Sequence, residues 1–327
     1  MNDLREITYA EALNEALKEE MRRDDSIILF GEDVGVYGGV FKVTKDLLEK
    51  FGSERVKDTP ISENAIIGIA LGASLLGLRP IGEIMYMDFL NECGDQLVNH
   101  VPKVHFMSGG KLKTPMTIRT QYSMGRNTGA QHSQFSASFY MNVPGLNIIL
   151  PSTPYDAKGL LKTTIRSEIP SLFIESAVLY ASKGHVPVDD YTIPLGESNI
   201  LTDGSDITII AMSMMVPIVL NAVEKLREKG ISCLVLDPRT LNPLDKEGII
   251  NSVKKTNRVV IVDPGHKTSG VSAEISAIIA EEAIEYLDSP IIRVNTPDIP
   301  VPFSPKLLQQ YIPNEEKIIK SITQLLD

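Results

Sequence analysis

The chain has 327 residues, a formal net charge of −10 and a hydrophobic share of 43%. That length suggests roughly two domains, and the apolar share is enough to build a sizeable core. The acidic balance excludes a nucleic-acid binder that relies on overall basicity, because phosphate binding needs clustered cations, and Lys111 and Lys113 stand isolated.

Taken in chain order, Thr8 and Glu11 form a capping box. It opens a helix whose apolar face is Leu13, Ala16, Leu17 and Met21. Residues 26–30 read as a strand, and residues 31–39 as the loop after it. Four glycines in those nine residues require tight turns or a close backbone approach. Thr59-Pro60-Ile61-Ser62-Glu63 then precedes the apolar run 65–71. Pro60 favours an extended entry and Ser62 is a good N-cap, so a helix starts near Ser62. Its run is apolar nearly all round, which predicts a buried helix. Glu63 falls in the first turn. It either stabilises the helix dipole or has a specific partner. Gly68 and Gly72 lie four apart, which lets another helix come close, within the domain or from another subunit. The stretch 65–78 is too short and too glycine-broken to cross a membrane, and the N-terminus shows no signal-peptide pattern.

Residues 79–85 form the next strand candidate. Phe89 follows it, as a core residue or as a stacking surface for a ligand. Residues 88–106 read as a helix that Pro102 kinks or ends. Residues 116–119, 147–150 and 172–174 read as strands, with a helix over 154–167. His132 lies in a polar, glycine-containing loop, residues 125–134, after a strand. Chemistry in α/β proteins sits on such loops, and imidazole exchanges protons near neutral pH. A plain surface histidine is the alternative. His100 and His105 fall on a predicted helix and read as structural.

Composition changes around residues 183–204. The division is a domain over 1–185, a linker over 186–204 and a second domain over 205–327. Strands at 207–212, 232–236, 259–262 and 291–294 alternate with helices at 216–229, 246–255 and 271–286. A proline-rich tail, 296–305, leads to a last helix. Alternation in both halves predicts an α/β protein with two doubly wound domains and parallel sheets. Cys93 and Cys233 form no CxxC pair. Reduced, buried thiols and a cytoplasmic location are expected. No GxGxxG, P-loop, GxSxG or HExxH is present.

Several segments together resemble one family. They are Gly31-Glu32-Asp33-Val34-Gly35-Val36-Tyr37-Gly38-Gly39, Asp58-Thr59-Pro60-Ile61-Ser62-Glu63, Gly77-Leu78-Arg79-Pro80-Ile81, Ala130-Gln131-His132-Ser133-Gln134, and the stretch from Pro151 to Leu160. The resemblance is to the β subunit of the thiamine-diphosphate-dependent E1 component of 2-oxo acid dehydrogenase complexes. It implies a transketolase-like fold, with a pyrimidine-binding domain followed by a transketolase C-terminal-like domain. Under it, Glu63 hydrogen-bonds N1′ of the cofactor's aminopyrimidine and Phe89 lies beside that ring. His132 serves proton transfer and the reductive acylation of lipoamide. Glu32 falls in the signature loop near the cofactor, with no assigned step. The family's diphosphate site uses Gly-Asp-Gly, which is absent from this sequence. The resemblance therefore implies no metal ligand on this chain. A separate α subunit would hold the diphosphate and a divalent metal, Mg2+, in an α2β2 assembly. An E2 lipoyl acyltransferase core is the further partner, and a non-catalytic docking role is a second reading. Residues 164–169 differ from the acidic version found at a potassium site in some relatives, so potassium binding is possible through backbone carbonyls but not supported by side chains. Pyruvate is the family's most frequent substrate. Leu236-Asp237-Pro238-Arg239-Thr240-Leu241 and residues 300–305 are similar to acetoin dehydrogenase β subunits. A branched-chain 2-oxo acid is the remaining alternative.

Overall fold

The computed structural model describes residues 4–326. It divides into two compact units. The first holds the chain up to Ser123 together with Phe139–Leu195; the second holds Met124–Ser138 and everything from Gly196 onward.

Unit 1 is built on strands β1 (Leu4–Thr8), β2 (Ile27–Gly31), β3 (Val56–Asp58), β4 (Arg79–Ile84), β5 (Thr117–Tyr122), β6 (Asn147–Ile149), β7 (Ser171–Ser176) and β8 (Lys183–Pro187). Its parallel strands run in the order β6-β7-β5-β4-β2-β3, while β1 and β8 form a separate antiparallel pair. From β2 the chain steps outward to β3, then crosses back to β4 on the other side. The order therefore reverses between β2 and β4, and ligands in open α/β sheets bind at such a reversal, beyond the strand C-termini.

The helices of unit 1 are α1 (Tyr9–Arg23), α2 (Leu47–Phe51), α3 (Glu63–Leu75), α4 (Val104–Met107), α5 (Ala137–Met141, shared with unit 2) and α6 (Pro154–Arg166). The capping box of α1 forms as the sequence predicts, with Thr8 and Glu11 satisfying each other's backbone amides. Helix α3 rests on β4 through Ile66, Ile67 and Ala70, which surround Gly82 so closely that a Cβ there would meet Ile66 at 3.4 Å. Helix α6 carries two fully buried lysines. Lys158 pairs with Glu15 and Glu19 of α1, and Lys162 with Glu19 and Asp190. Buried ammonium groups need such partners, so this network fixes the register of α1 on α6.

The long helix predicted over 88–106 is broken into a 3-10 turn (Met87–Asn91), a π segment (Asp95–His100) and α4. Gly94 separates the first two, and Pro102, which has no amide to donate, precedes the third. Helix α3 is less buried than predicted: Ala65, Ile69 and Gly72 face solvent in this chain. Ser62 occupies the cap position of α3, but its side chain makes no capping hydrogen bond.

Unit 2 contains β9 (Asn199–Thr202), β10 (Ile207–Ala211), β11 (Cys233–Asp237), β12 (Thr240–Asn242), β13 (Val259–His266) and β14 (Ile292–Thr296). Its sheet has the order β14-β13-β10-β11-β9. All neighbours are parallel except β9, which pairs antiparallel with β11 and lies within the stretch read as a linker. The helices are α7 (Met215–Arg227), α8 (Lys246–Thr256), α9 (Val271–Ala283), α10 (Pro305–Tyr311) and α11 (Glu315–Leu326). The turn into β10 makes a very close backbone approach. A Cβ on Gly204 would lie 2.3 Å from the carbonyl carbon of Cys233. Gly204→Ala should therefore destabilise by about 2 kcal/mol or more, read as a lowered urea midpoint with unchanged slope.

Candidate active site

The strand reversal in unit 1 brings three segments together. The loop after β2 starts at Gly31 and Glu32, the segment after β3 leads from Asp58 to Glu63, and the turn after β4 carries Phe89. Asp58 ties the first two, accepting from the amides of Gly35 (2.6 Å) and Val36 (3.1 Å). Thr59 N donates to Gly31 O at 3.0 Å. Gly31 cannot be larger, since a Cβ would lie 2.8 Å from Glu83 O.

Glu63 stands in the first turn of α3, 9% exposed. Its negative charge reaches two neighbours. Burial and then Glu63 push the Cys93 thiol up to about 12, so Cys93 is an inert, protonated core thiol. Glu32 is raised above the ordinary carboxylate range, first by burial and then by Glu63, Asp33 and Glu83. One oxygen of Glu32, Oε1, is buried with no hydrogen-bond partner. A buried polar atom of that kind calls for a ligand donor. Phe89 is half-buried and meets Tyr86 edge-to-face at 5.5 Å.

Behind these residues lies a charged cluster that sequence reasoning missed. Arg119 is fully buried on β5. It grips Glu175 of β7 with Nε at 2.8 Å and Nη2 at 2.9 Å, and Glu83 of β4 with Nη1 at 2.5 Å. Tyr180 donates to Glu175 at 2.7 Å. Burial opposes the guanidinium charge, but Glu175 and Glu83 outweigh it and hold Arg119 charged. The signal was available: Arg119 interrupts an otherwise strand-like run, and Glu83 is its register partner on β4.

His132 belongs to unit 2 through its loop, Met124–Ser138. It is half-buried. Thr128 Oγ1 donates to His132 O at 3.1 Å and shares a hydrogen with Ser133 Oγ at 2.6 Å. Asn127 and Gly129 adopt positive φ, which bends the chain around this turn. A cavity of about 600 Å³ lies beside the loop, lined by Ala130, Gln134, His266, Thr268 and Asp298 among others.

At the end of α6 two carbonyls already accept from a side chain. Arg79 Nη1 donates to Ile165 O (3.2 Å) and Ser167 O (3.0 Å), and Arg79 and Lys113 both pair with Glu168. A guanidinium already neutralises that helix terminus.

Among known proteins, the fold and its domains define a class first. Residues 5–183 match the transketolase pyrimidine-binding domain and residues 196–318 the transketolase C-terminal domain. A solved split-gene transketolase, described as an inactive β4 tetramer, superposes with a TM-score of 0.81 over 98% of both chains at 21% identity, a likeness of fold. The chain is thus a two-domain, transketolase-like α/β protein. It is 43% identical to the β subunit of acetoin:2,6-dichlorophenolindophenol oxidoreductase of Bacillus subtilis, over 98% of both chains. It is 42% identical to the 2-oxoisovalerate dehydrogenase β subunit of the same organism, over 98% of this chain and 99% of that one. It is 43% identical to the pyruvate dehydrogenase E1 β subunit of Rickettsia felis, over 98% of both. The chain belongs to this family of E1-type β subunits, which implies an oxidoreductase role, an α-subunit partner and the use of thiamine diphosphate. No helix among the described residues is long and apolar enough to cross a membrane. The low-water carboxylate of Glu63, the buried open acceptor on Glu32 and the half-buried ring of Phe89 fit the pyrimidine half of that cofactor.

Two outcomes are expected. Arg119→Met leaves Glu83 and Glu175 without their cation and should cost about 3–5 kcal/mol, seen as a large fall in Tm. Glu32→Gln should be tested across pH in the ligand-free chain. Since the folded pKa of Glu32 is raised, its contribution is fully present below the unfolded pKa and is lost as pH rises through the folded value. The variant, fixed in a neutral form, should match the wild type near pH 4 and exceed it by about 1–2 °C at pH 8.

Proposed function

We propose that this chain is the catalytic β subunit of a thiamine-diphosphate-dependent 2-oxo acid dehydrogenase E1, with pyruvate as substrate. The observation that carries the reading is Glu63, a nearly buried acid in the first turn of α3, at the strand reversal of a pyrimidine-binding domain. Thiamine diphosphate, when bound, supplies the electron sink for decarboxylation. The Glu63 carboxyl group is the hydrogen-bond partner of N1′ of the aminopyrimidine, and scarce water keeps that hydrogen bond strong. Phe89 gives the ring an apolar face. Glu32, biased toward its neutral form, adds little like charge beside Glu63. His132 holds the proton taken by the departing sulfur as the lipoyl disulfide opens; the other sulfur receives the acyl group.

Dependence on an α subunit is supported from two sides. Gly-Asp-Gly is absent from the sequence, so the diphosphate and its Mg2+ fall to the partner in an α2β2 complex. Apolar side chains are also exposed on the segments that lead to and form the helix of Glu63 and on the signature loop: Val36 is 86%, Ile61 82% and Ile69 59% exposed. Apolar surface of that kind marks a partner contact. The acyl product passes to an E2 lipoyl acyltransferase core. Acetoin is the second reading, favoured by residues 236–241 and 300–305 and by the 43% identity to an acetoin oxidoreductase β subunit.

The test is reconstitution with the α subunit and a panel of pyruvate, acetoin and 2-oxoisovalerate, read with dichlorophenolindophenol. Cofactor-dependent turnover is expected only with both chains. Glu63→Gln should lose about 10²-fold or more. Full activity in that variant would remove Glu63 from its role, and turnover by the isolated chain would remove the α dependence.

A further inference from the structure

The loop that carries His132 is held from two sides by parts of unit 2 that no step of the proposed chemistry uses. On one side, Gly129 lies against the proline-rich tail. A Cβ on Gly129 would stand 3.6 Å from Phe303 Cδ2, so the aromatic ring lies directly over that turn. Gly129 O is also the carbonyl that the His132 amide faces, at 3.5 Å. On the other side, buried Phe135 packs on Gly265, where a Cβ would stand 3.2 Å from Phe135 Cδ1. Gly265 is itself fixed. Its amide donates to fully buried Asp263 at 2.7 Å. Asp263 also accepts from Ser272 N at 2.9 Å and Asn295 Nδ2 at 3.1 Å. Asn295 Nδ2 reaches back to Gly265 O at 3.2 Å. Between these anchors Ala130, Gln131 and Gln134 are exposed. The contacts at its two ends add to the Thr128 hydrogen bonds that shape the arch from within.

We infer that Phe303 and the Asp263–Gly265–Phe135 anchor are positioning elements for His132. The C-terminal unit, beyond any part in assembly, sets where the imidazole stands. This rests on the proposed role of His132 in acyl transfer. Phe303 is the useful probe because it is 70% exposed, and surface substitutions of that kind cost the fold little. A loop shift of about 1 Å can cost up to 10²-fold in rate when a reacting group must be aligned.

The experiment compares two readouts in the reconstituted α–β complex with whichever substrate of the panel it turns over. One readout is dichlorophenolindophenol reduction, which bypasses the lipoyl group. The other is reductive acylation of a lipoylated E2 domain. Phe303→Ala should slow lipoyl acylation about tenfold through kcat rather than KM, leave dye reduction within about twofold, and leave Tm unchanged. Phe303→Leu, which refills the contact, should restore acylation. His132→Ala is run beside them. If it abolishes acylation while Phe303→Ala leaves acylation intact, the positioning inference is overturned and the role of His132 stands. If His132→Ala acylates at the wild-type rate, the role of His132 fails and the inference falls with it. Equal losses in both readouts for Phe303→Ala would also overturn it, since they indicate general damage.

Discussion

The reversal of strand order at β2 and β4 is the constraint on which the chemistry of unit 1 depends. A parallel sheet places every strand C-terminus on one edge, and the reversal opens a crevice there. Glu32 follows β2, Glu63 follows β3 through Asp58, and Phe89 follows β4. No one of these segments brings a site by itself. Strands β4, β5 and β7 carry Glu83, Arg119 and Glu175 in their interiors, so the floor of the crevice is ionic rather than apolar.

That floor explains the electrostatics above it. Glu83 faces Arg119 within its own charge pair, yet its carboxylate still acts on Glu32, as Glu63 does. Three acids thus share one neighbourhood with one guanidinium, which is already engaged by Glu83 and Glu175. Burial and the neighbouring carboxylates together raise Glu32 above the ordinary carboxylate range. The inert Cys93 thiol packed near Glu63 keeps water out without adding a competing nucleophile.

The repeated strand–helix alternation was legible because buried parallel strands read as short apolar runs and the helices between them carry clear caps. Thr8 with Glu11 is the clearest case. Legibility failed where tertiary contacts overrule local preference. Ser62 is a good cap by residue type, but its backbone enters α3 at φ −162° and ψ 79° and the hydroxyl makes no capping bond. Residues 88–106 have helical composition, yet Gly94 and Pro102 divide them into three tighter or looser turns. The linker stretch hides β8 and β9, whose partners β1 and β11 lie far away in sequence. For the candidate site, Glu63, Glu32, Phe89 and His132 stood out through their loops and neighbours. Arg119, Glu83 and Glu175 did not, since each is an isolated charge in its own strand and only the sheet register unites them. The clamps on the His132 loop were equally hidden, because Gly129 meets Phe303 and Phe135 meets Gly265 across more than a hundred residues of sequence.

The central claim is that Glu63 governs proton transfer at the cofactor. It is tested most directly by the rate at which the α–β complex exchanges the thiazolium C2 proton of bound thiamine diphosphate for deuterium, followed by acid quench and NMR. The account predicts that Glu63→Gln slows this exchange by about 10²-fold or more while the cofactor stays bound. Exchange at the wild-type rate in that variant, with cofactor bound, would contradict it.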